Sequence, residues 1–397
     1  MTDEPIVRIA ARGDGITASG RYSPMAAPGD MLAIDGTLTP GPHHVTPACR
    51  HFPACGGCQL QHIDDTAYAE FVVDRVASAL AAQRFADADI RAAHLSPAHT
   101  RRRASLTAER RGRQVQLGFN GAQTNRIVDM MECPVLHPAL EALVKPLRGL
   151  LPTLLADRKV ATIQMTLADQ GVDLLISNVE ADGLDAVMAL ADFAQEHRLA
   201  RLSIDEGFGP TARWEPEPLT ITLGGLAVAM PEGAFLQATA DGEAILVRSV
   251  LEAVGPVETS ADLFAGLGTF ALALPGQVVA AEAARDAITA LQTAANRSGR
   301  LIRCEHRDLF RRPLTAKELA SFEAVVLDPP RAGARDQVAE LAASPVPRIA
   351  YVSCNPATFA RDASILANGG YRLDWVQPVG QFRWSTHVEL AAAFSRP

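Results

Sequence analysis

The sequence predicts a doubly wound α/β protein, its mostly parallel sheet of seven strands occupying residues 236–397. Three observations carry this. Strand-like stretches recur at 258–263, 278–282, 301–304, 323–328, 348–353, 371–376 and 387–394, with helical segments between most of them. Such alternation builds crossover-connected parallel sheets. The first strand runs into a glycine turn, Asp262-Leu-Phe-Ala-Gly-Leu-Gly-Thr-Phe270, expected to enter a helix. The fifth runs out at Ser353-Cys-Asn-Pro356, where Pro356 cannot join a ladder and pushes Asn355 to extended geometry. Cys354 therefore falls at the carboxyl edge of the sheet, where open α/β sheets bind ligands.

The 397 residues suit two or three domains and are apolar enough for real cores. No apolar run approaches membrane-spanning length and the first residues show no signal core, so the expected location is the cytoplasm and no membrane partner is expected. Six cysteines in that compartment point to metal or catalysis rather than structural disulfides. A net charge of −8 does not advertise a nucleic-acid binder. Basic residues do crowd one segment, Arg101-Arg-Arg103 and Arg110-Arg111 with Arg113, and a local stripe can hold phosphates on an acidic protein.

Residues 1–48 carry short β-prone pieces among Gly and Pro, a pattern that suits a small β-barrel or a loosely ordered arm. Residues 49–235 form a second part. It opens with Cys49-Arg-His-Phe-Pro-Ala-Cys55-Gly-Gly-Cys58, where Gly56 and Gly57 allow a tight turn. Cys133, before Pro134-Val-Leu, is the candidate fourth thiolate, and four Cys ligands fit either tetrahedral zinc or an iron–sulfur cluster. From Asp64 a helix is predicted, with Tyr68, Phe71, Val72, Val76 and Leu80 on one stripe. An arginine-bearing hairpin follows, turning at Arg111-Gly112, then a helix over 137–155. Strands at 160–167 and 171–177, a helix at 183–197 and strands near 201–206 and 219–229 complete an α+β middle domain.

In the last part an amphipathic helix spans 241–254. The Gly-x-Gly turn lacks the third glycine of the dinucleotide fingerprint, which favours a nucleoside cofactor without a pyrophosphate. Glu282 ends the second strand, where an acid can accept from both ribose hydroxyls. Asp308, after the third, can meet an adenine edge. Together these suggest S-adenosylmethionine on a Rossmann-like methyltransferase domain. Asp328-Pro-Pro-Arg331 ends the fourth strand with an acid in the site mouth. Arg331 stands where amine methyltransferases carry an aromatic, which disfavours amine methylation.

Phe235-x-Gln237, Asp262-Leu-Phe-x-Gly-x-Gly, Asp328-Pro-Pro-Arg-Ala-Gly333, Ser353-Cys-Asn-Pro-Ala-Thr358 and His387-Val-Glu389 resemble the RNA uracil-5-methyltransferases. With the cysteine pattern, the chain is similar to the iron–sulfur kind that modifies 23S ribosomal RNA. That resemblance implies a TRAM-like, OB-like RNA-binding module at 1–48, looking shortened here, a [4Fe-4S] cluster on Cys49, Cys55, Cys58 and Cys133, and cofactor contacts at Gln237, Phe264, Thr269, Glu282, Asp308 and Asp328. Thr239 and Thr269 stand where the family commonly has Asn.

The implied chemistry needs a nucleophile and a base. Carbon 5 of uracil attacks a sulfonium methyl poorly until a thiolate adds at carbon 6 and makes the ring an enolate. A base then removes the carbon 5 proton and the cysteine leaves. Cys354 is the expected nucleophile and Glu389 the expected base, with Gln237 and Asp328 holding the uracil edge and cofactor. Phe235 is a stacking partner for a flipped base. The expected partner is 23S ribosomal RNA and the expected state a monomer. The alternatives are a tRNA uracil-5-methyltransferase and a non-catalytic RNA-binding assembly factor on a methyltransferase fold.

Overall fold

The computed structural model describes residues 3–396. Its backbone contacts gather into two compact units: the residues up to Tyr68 with Pro97–Thr220 and Arg383–Thr386, and Ala69–Ser96 with Ile221–Phe382 and the residues from His387 on. The predicted helix, Asp65–Ala81, runs from the first unit into the second.

In the first unit a five-stranded antiparallel sheet opens the chain, with Glu4–Ile9 at its centre and Tyr22–Ser23 and Leu38–Thr39 at its edges. Ile6, Ala26 and Leu32 form its small core. A core of that size closes no barrel, and the sheet is a curled half-barrel. Buried Asp30 fixes its lower turn, accepting from the Ala27 and Gly41 amides at 2.7 and 2.6 Å.

The α+β part of this unit is a six-stranded sheet in the order Pro210–Trp214, Arg201–Asp205, Gly171–Ser177, Val160–Ala168, Arg103–Arg111, Gln114–Gly118. Alternate residues such as Leu106, Ala108, Ile163, Met165 and Leu174 face one core shared with the helices. The hairpin pairs Arg111 with Gln114, so its turn is Gly112-Arg113, one residue later than predicted, where Gly112 takes φ 63°. The helix expected over 137–155 is broken into Pro138–Glu141, Val144–Leu150 and a 3₁₀ turn at Leu151–Thr153. Pro146 explains the first break, because its ring crowds the carbonyl four residues back. Pro210–Trp214 was not predicted: as an edge strand exposed along most of its length, it lacks apolar alternation.

The second unit contains all seven predicted strands: Thr259–Leu263, Gln277–Glu282, Ile302–His306, Ala324–Leu327, Arg348–Ser353, Arg372–Gly380 and Glu389–Ser395. In sheet order they run third, second, first, fourth, fifth, seventh, sixth, and His94–Leu95 adds a short eighth. The first five are parallel, and the last lies antiparallel between the fifth and sixth. The order reverses between the first and fourth strands, which opens a crevice at their carboxyl ends. One expectation fails here. The Gly-x-Gly segment enters turns over 266–273 rather than an α-helix. Gly268 takes φ 94° and Pro275 follows soon after, so only a turn or two of chain is available.

Candidate active site

The crevice is a pocket of about 440 Å³ that lies wholly in the second unit. It is lined by all eight residues expected to bind cofactor or act in catalysis: Gln237, Phe264, Thr269, Glu282, Asp308, Asp328, Cys354 and Glu389. They come from seven separate stretches of chain. Phe235 and Arg331 line it too.

The loop after the first strand is held from beneath. The Phe264 and Ala265 amides both donate to the Ala281 carbonyl, at 3.0 and 3.1 Å, and Phe264 sits at φ 66°. Glu282 accepts from the Gly266 amide at 3.0 Å with one oxygen and from Ala284 at 2.7 Å with the other. A Cβ on Gly268 would stand 2.4 Å from Leu291 Cδ1, so glycine is required there for close loop–helix packing as well as for its φ. Asp308 accepts from the Phe310 and Arg311 amides and turns the Phe310 ring to within 5.4 Å of Phe264. Phe310 also lines the pocket; its only sequence signal was its place two residues after Asp308.

Asp328 follows the fourth strand, and its amide donates to the Leu263 carbonyl. Cys354 follows the fifth. Asn355 caps the next helix, Pro356–Asn368, by accepting from the Ala357 amide at 3.1 Å, and Pro356 takes the first helical position. The proline that ends the strand therefore also starts a helix. Asn355 Nδ2 and the Thr358 hydroxyl both donate to the Arg331 carbonyl, tying the cysteine loop to the Asp328-Pro-Pro-Arg331 loop. In the neighbouring strand Leu390 pairs with Ser353, so the register sets Glu389 beside Cys354.

The acids are buried and close together. Burial pushes Glu389 up to about 8, with repulsion from Asp328 adding to it and a hydrogen bond from Gln381 opposing it. Asp328 is pushed up to about 7 by burial alone. Behind the pocket Asp262, fully buried, is raised to about 7 by burial, with Asp328 and Glu282 adding to the shift. Cys354 is raised to about 11, first by burial and then by Glu389 and Asp328, against a smaller pull from Arg331. Asp262 is part of a sequence motif, but its partnerless Oδ1 and its shift were not legible there. Gln381 was missed altogether.

Thr239, where the family commonly has Asn, is a helix cap. Its hydroxyl accepts from the Gly242 amide at 3.1 Å at the start of Ala240–Val254. Thr and Asn share that capping ability.

In the first unit Cys49, Cys55, Cys58 and Cys133, all free thiols, line one pocket. Gln61 accepts from the Cys49 amide, the His51 carbonyl accepts from Cys55, and Glu141 accepts from Cys133. Gly56 and Gly57 lie in a turn, as expected, and a Cβ on Gly56 would also meet the Asn120 carbonyl at 2.8 Å. Burial raises the Cys55 and Cys133 thiols and pushes Cys58 up to about 12. Among the described residues no three His, Cys, Asp or Glu side chains are placed to hold a single metal ion. The donor chemistry of the pocket, four thiols with buried Gln61 and half-buried Arg101 around them, nevertheless fits an all-thiolate centre.

The arginine run is mostly committed to the protein itself. Arg110 donates to the Pro152, Leu155 and Gly112 carbonyls, Arg111 pairs with Glu109, and Arg102 is buried. Arg113 is exposed.

The family model for tRNA (uracil-5-)-methyltransferases matches residues 217–396. An RNA methyltransferase of Zymomonas mobilis is 50% identical over 98% of this chain and 99% of its own. The chain belongs to the RNA uracil-5-methyltransferase family. A relative from Shewanella frigidimarina, named as a 23S rRNA (uracil(1939)-C(5))-methyltransferase, is 31% identical over 89% of this chain and 82% of its own. The structure of a Pyrococcus abyssi tRNA (uracil-54, C5)-methyltransferase in complex with S-adenosyl-L-homocysteine shares the fold, with TM-score 0.75, 21% identity and 99% of each chain covered. As an RNA methyltransferase of this family the protein has its α/β methyltransferase domain in the second unit. No helix among the described residues is long and apolar enough to cross a membrane.

Proposed function

We propose that this methyltransferase transfers a methyl group from S-adenosylmethionine to carbon 5 of a uridine in 23S ribosomal RNA. The observation that carries the reading is the convergence of Cys354 and Glu389 on one pocket with the cofactor candidates Gln237, Phe264, Thr269, Glu282, Asp308 and Asp328. The cofactor supplies an electrophilic methyl on a sulfonium. Glu282 and Asp308 hold its nucleoside, and Phe264 with Phe310 flanks the base. Cys354 loses its proton to water and adds to carbon 6, and the ring electrons move to oxygen 4. Carbon 5 takes the methyl, and the sulfonium bond breaks to leave a neutral thioether. Glu389 removes the carbon 5 proton, the carbon 5–carbon 6 double bond re-forms, and the Cys354 thiolate leaves.

Residues 1–48 serve as the RNA-binding module, 49–235 as the cluster-bearing central part and 236–397 as the catalytic domain. Cys49, Cys55, Cys58 and Cys133 would hold a [4Fe-4S] cluster. The methyl transfer moves no electrons through it, and its contribution is a cross-link between residues 49–58 and Cys133. The ribosomal target is favoured by the named Shewanella relative together with the four thiols lining one pocket. A tRNA target is the second reading, favoured by the name of the matching family model. Mapping 5-methyluridine in 23S RNA and tRNA from cells with and without the protein decides between them. A missing methyl in 23S RNA is expected, and loss confined to tRNA would overturn the ribosomal assignment.

A further inference from the structure

Gln381 belongs to none of the motifs above, yet it is almost fully buried beside the active-site residues. It follows the strand Arg372–Gly380. Its Oε1 accepts from the Ala238 backbone amide at 3.1 Å. A backbone N–H can only donate, so the amide orientation is fixed and Nε2 is the donor end. Nε2 donates to Gln237 Oε1 at 2.8 Å. The same side chain lies against the Glu389 carboxyl, where its hydrogen bond favours the ionised form.

The fold keeps space for this arrangement. Gly242 sits in the first turn of Ala240–Val254, where alanine would ordinarily be preferred. A Cβ there would stand 2.8 Å from Gln381 Cβ, 3.1 Å from its Oε1 and 2.7 Å from the Thr239 hydroxyl.

We propose that Gln381 is a positioning residue that orients Gln237 and Glu389 together, so that the substrate-facing amide and the base are set by one side chain. The proposal rests on the reading of Cys354 and Glu389 given above. With Gln237 Oε1 engaged as an acceptor, the orientation of the Gln237 amide is fixed and Nε2 is its donor end. That is the polarity needed where uracil oxygen 4 gains negative charge as Cys354 adds to carbon 6. Electrostatic help of this kind acts on the transition state more than on binding.

The test uses the full-length protein, unmodified 23S RNA from cells lacking it, and Gln381→Met, which keeps the side chain's length but none of its three hydrogen bonds. Single-turnover methyl transfer is expected to fall about 10- to 100-fold, the usual effect of losing hydrogen bonds to groups that gain charge. Affinity for S-adenosylhomocysteine should fall by less than the transfer rate, since Gln381 reaches only Gln237 among the expected cofactor contacts. The pH midpoint for resolving the Cys354 adduct should move upward by roughly one unit, because the bond favouring ionised Glu389 is gone. Gln381→Glu, similar in size but unable to donate when ionised, should move the midpoint at least as far, and it carries the test if the Met variant does not fold. Gly242→Ala should reproduce part of the rate loss by displacing Gln381. Unchanged rate and midpoint in both Gln381 variants would overturn the proposal. Cys354→Ala separates this from the underlying reading: if it stays active the covalent mechanism itself fails, whereas an inactive Cys354→Ala with wild-type behaviour at 381 removes the positioning role alone.

Discussion

Glu389→Gln tests the proposed base through both chemistry and stability. Burial and Asp328 raise the Glu389 carboxyl from 4.5 to about 8. Only the ionised form can take the carbon 5 proton. About a tenth of the enzyme is therefore competent at pH 7 and about a hundredth at pH 6, a tenfold change per unit. Adduct resolution, followed by rapid quench with methyl-labelled cofactor and denaturing electrophoresis, should rise tenfold per unit and level above about pH 8. The variant should transfer one methyl and stay bonded to its RNA. Stability moves the other way. A carboxyl with a raised folded pKa holds its proton better in the native state, so its contribution is fully present below 4.5 and is lost as pH rises to about 8. At about 1.4 kcal/mol per unit the ceiling on that loss is about 5 kcal/mol, reduced by local relaxation. Glutamine does not titrate, so the Tm difference should shift in favour of the variant between pH 5 and 8. Resolution that is flat across this range, with a pH-independent Tm difference, would refute a buried titrating base. Free, fully methylated RNA released by the variant at the normal rate would remove Glu389 from the role.

Three further outcomes are expected. Anaerobically purified protein should be brown with four irons and four sulfides per chain, and Cys133→Ser should lose iron and lower Tm; a colourless protein holding one zinc would refute the cluster. Arg110→Ala should destabilise the protein by about 1–3 kcal/mol, because it leaves the Pro152 and Leu155 carbonyls without their donor, while Arg113→Ala should leave Tm unchanged and flatten the log–log salt dependence of RNA binding by about one unit. The reverse pattern would mean that Arg110 is an RNA ligand. Alkylation of Cys354 at pH 7.5 (a neutral working condition) should be faster in the S-adenosylmethionine complex than in the S-adenosylhomocysteine complex, as the only charge difference is the sulfonium; equal rates would deny electrostatic coupling between cofactor and thiol.

Much of the catalytic unit was legible because its signals are local. Val278-Val-Ala-Ala and Ala324-Val-Val-Leu are apolar runs of strand length closed by acids, and Gly266, Gly268 and Pro356 mark where the backbone must turn. Those marks place residues at the strand ends, and the strand ends line the pocket. What escaped depends on residues far apart in the chain. Gln381 is defined by Ala238, Gln237 and Glu389, and nothing adjacent to it in sequence announces them. The arginine run looked like a phosphate stripe because two of the three carbonyls that engage Arg110, those of Pro152 and Leu155, lie more than forty residues later. His94–Leu95 is too short to show a period, and its pairing with Val379 and Gly380 is purely tertiary.

The crowding of acids also bears on when the thiol can react. Asp262, Glu282, Asp328 and Glu389 lie in or behind one pocket, and Arg307, which lines it, is engaged by Glu318 at 2.7 Å. For a neutral ligand this arrangement would be unfavourable, since burial already raises Asp262 and Asp328 to about 7. A ligand with a fixed positive charge reverses the sign: each carboxylate it faces becomes easier to ionise, and each in turn holds the cation. Cys354, held up to about 11 by burial and by the same acids, feels that charge as well. A thiol raised to about 11 is protonated at neutral pH. Bound sulfonium opposes the repulsion that keeps it so, and demethylated cofactor, being neutral, restores that repulsion. On the proposed mechanism, the same carboxylates would favour the cationic cofactor over its product and would hold the proposed nucleophile protonated until that cofactor is in place.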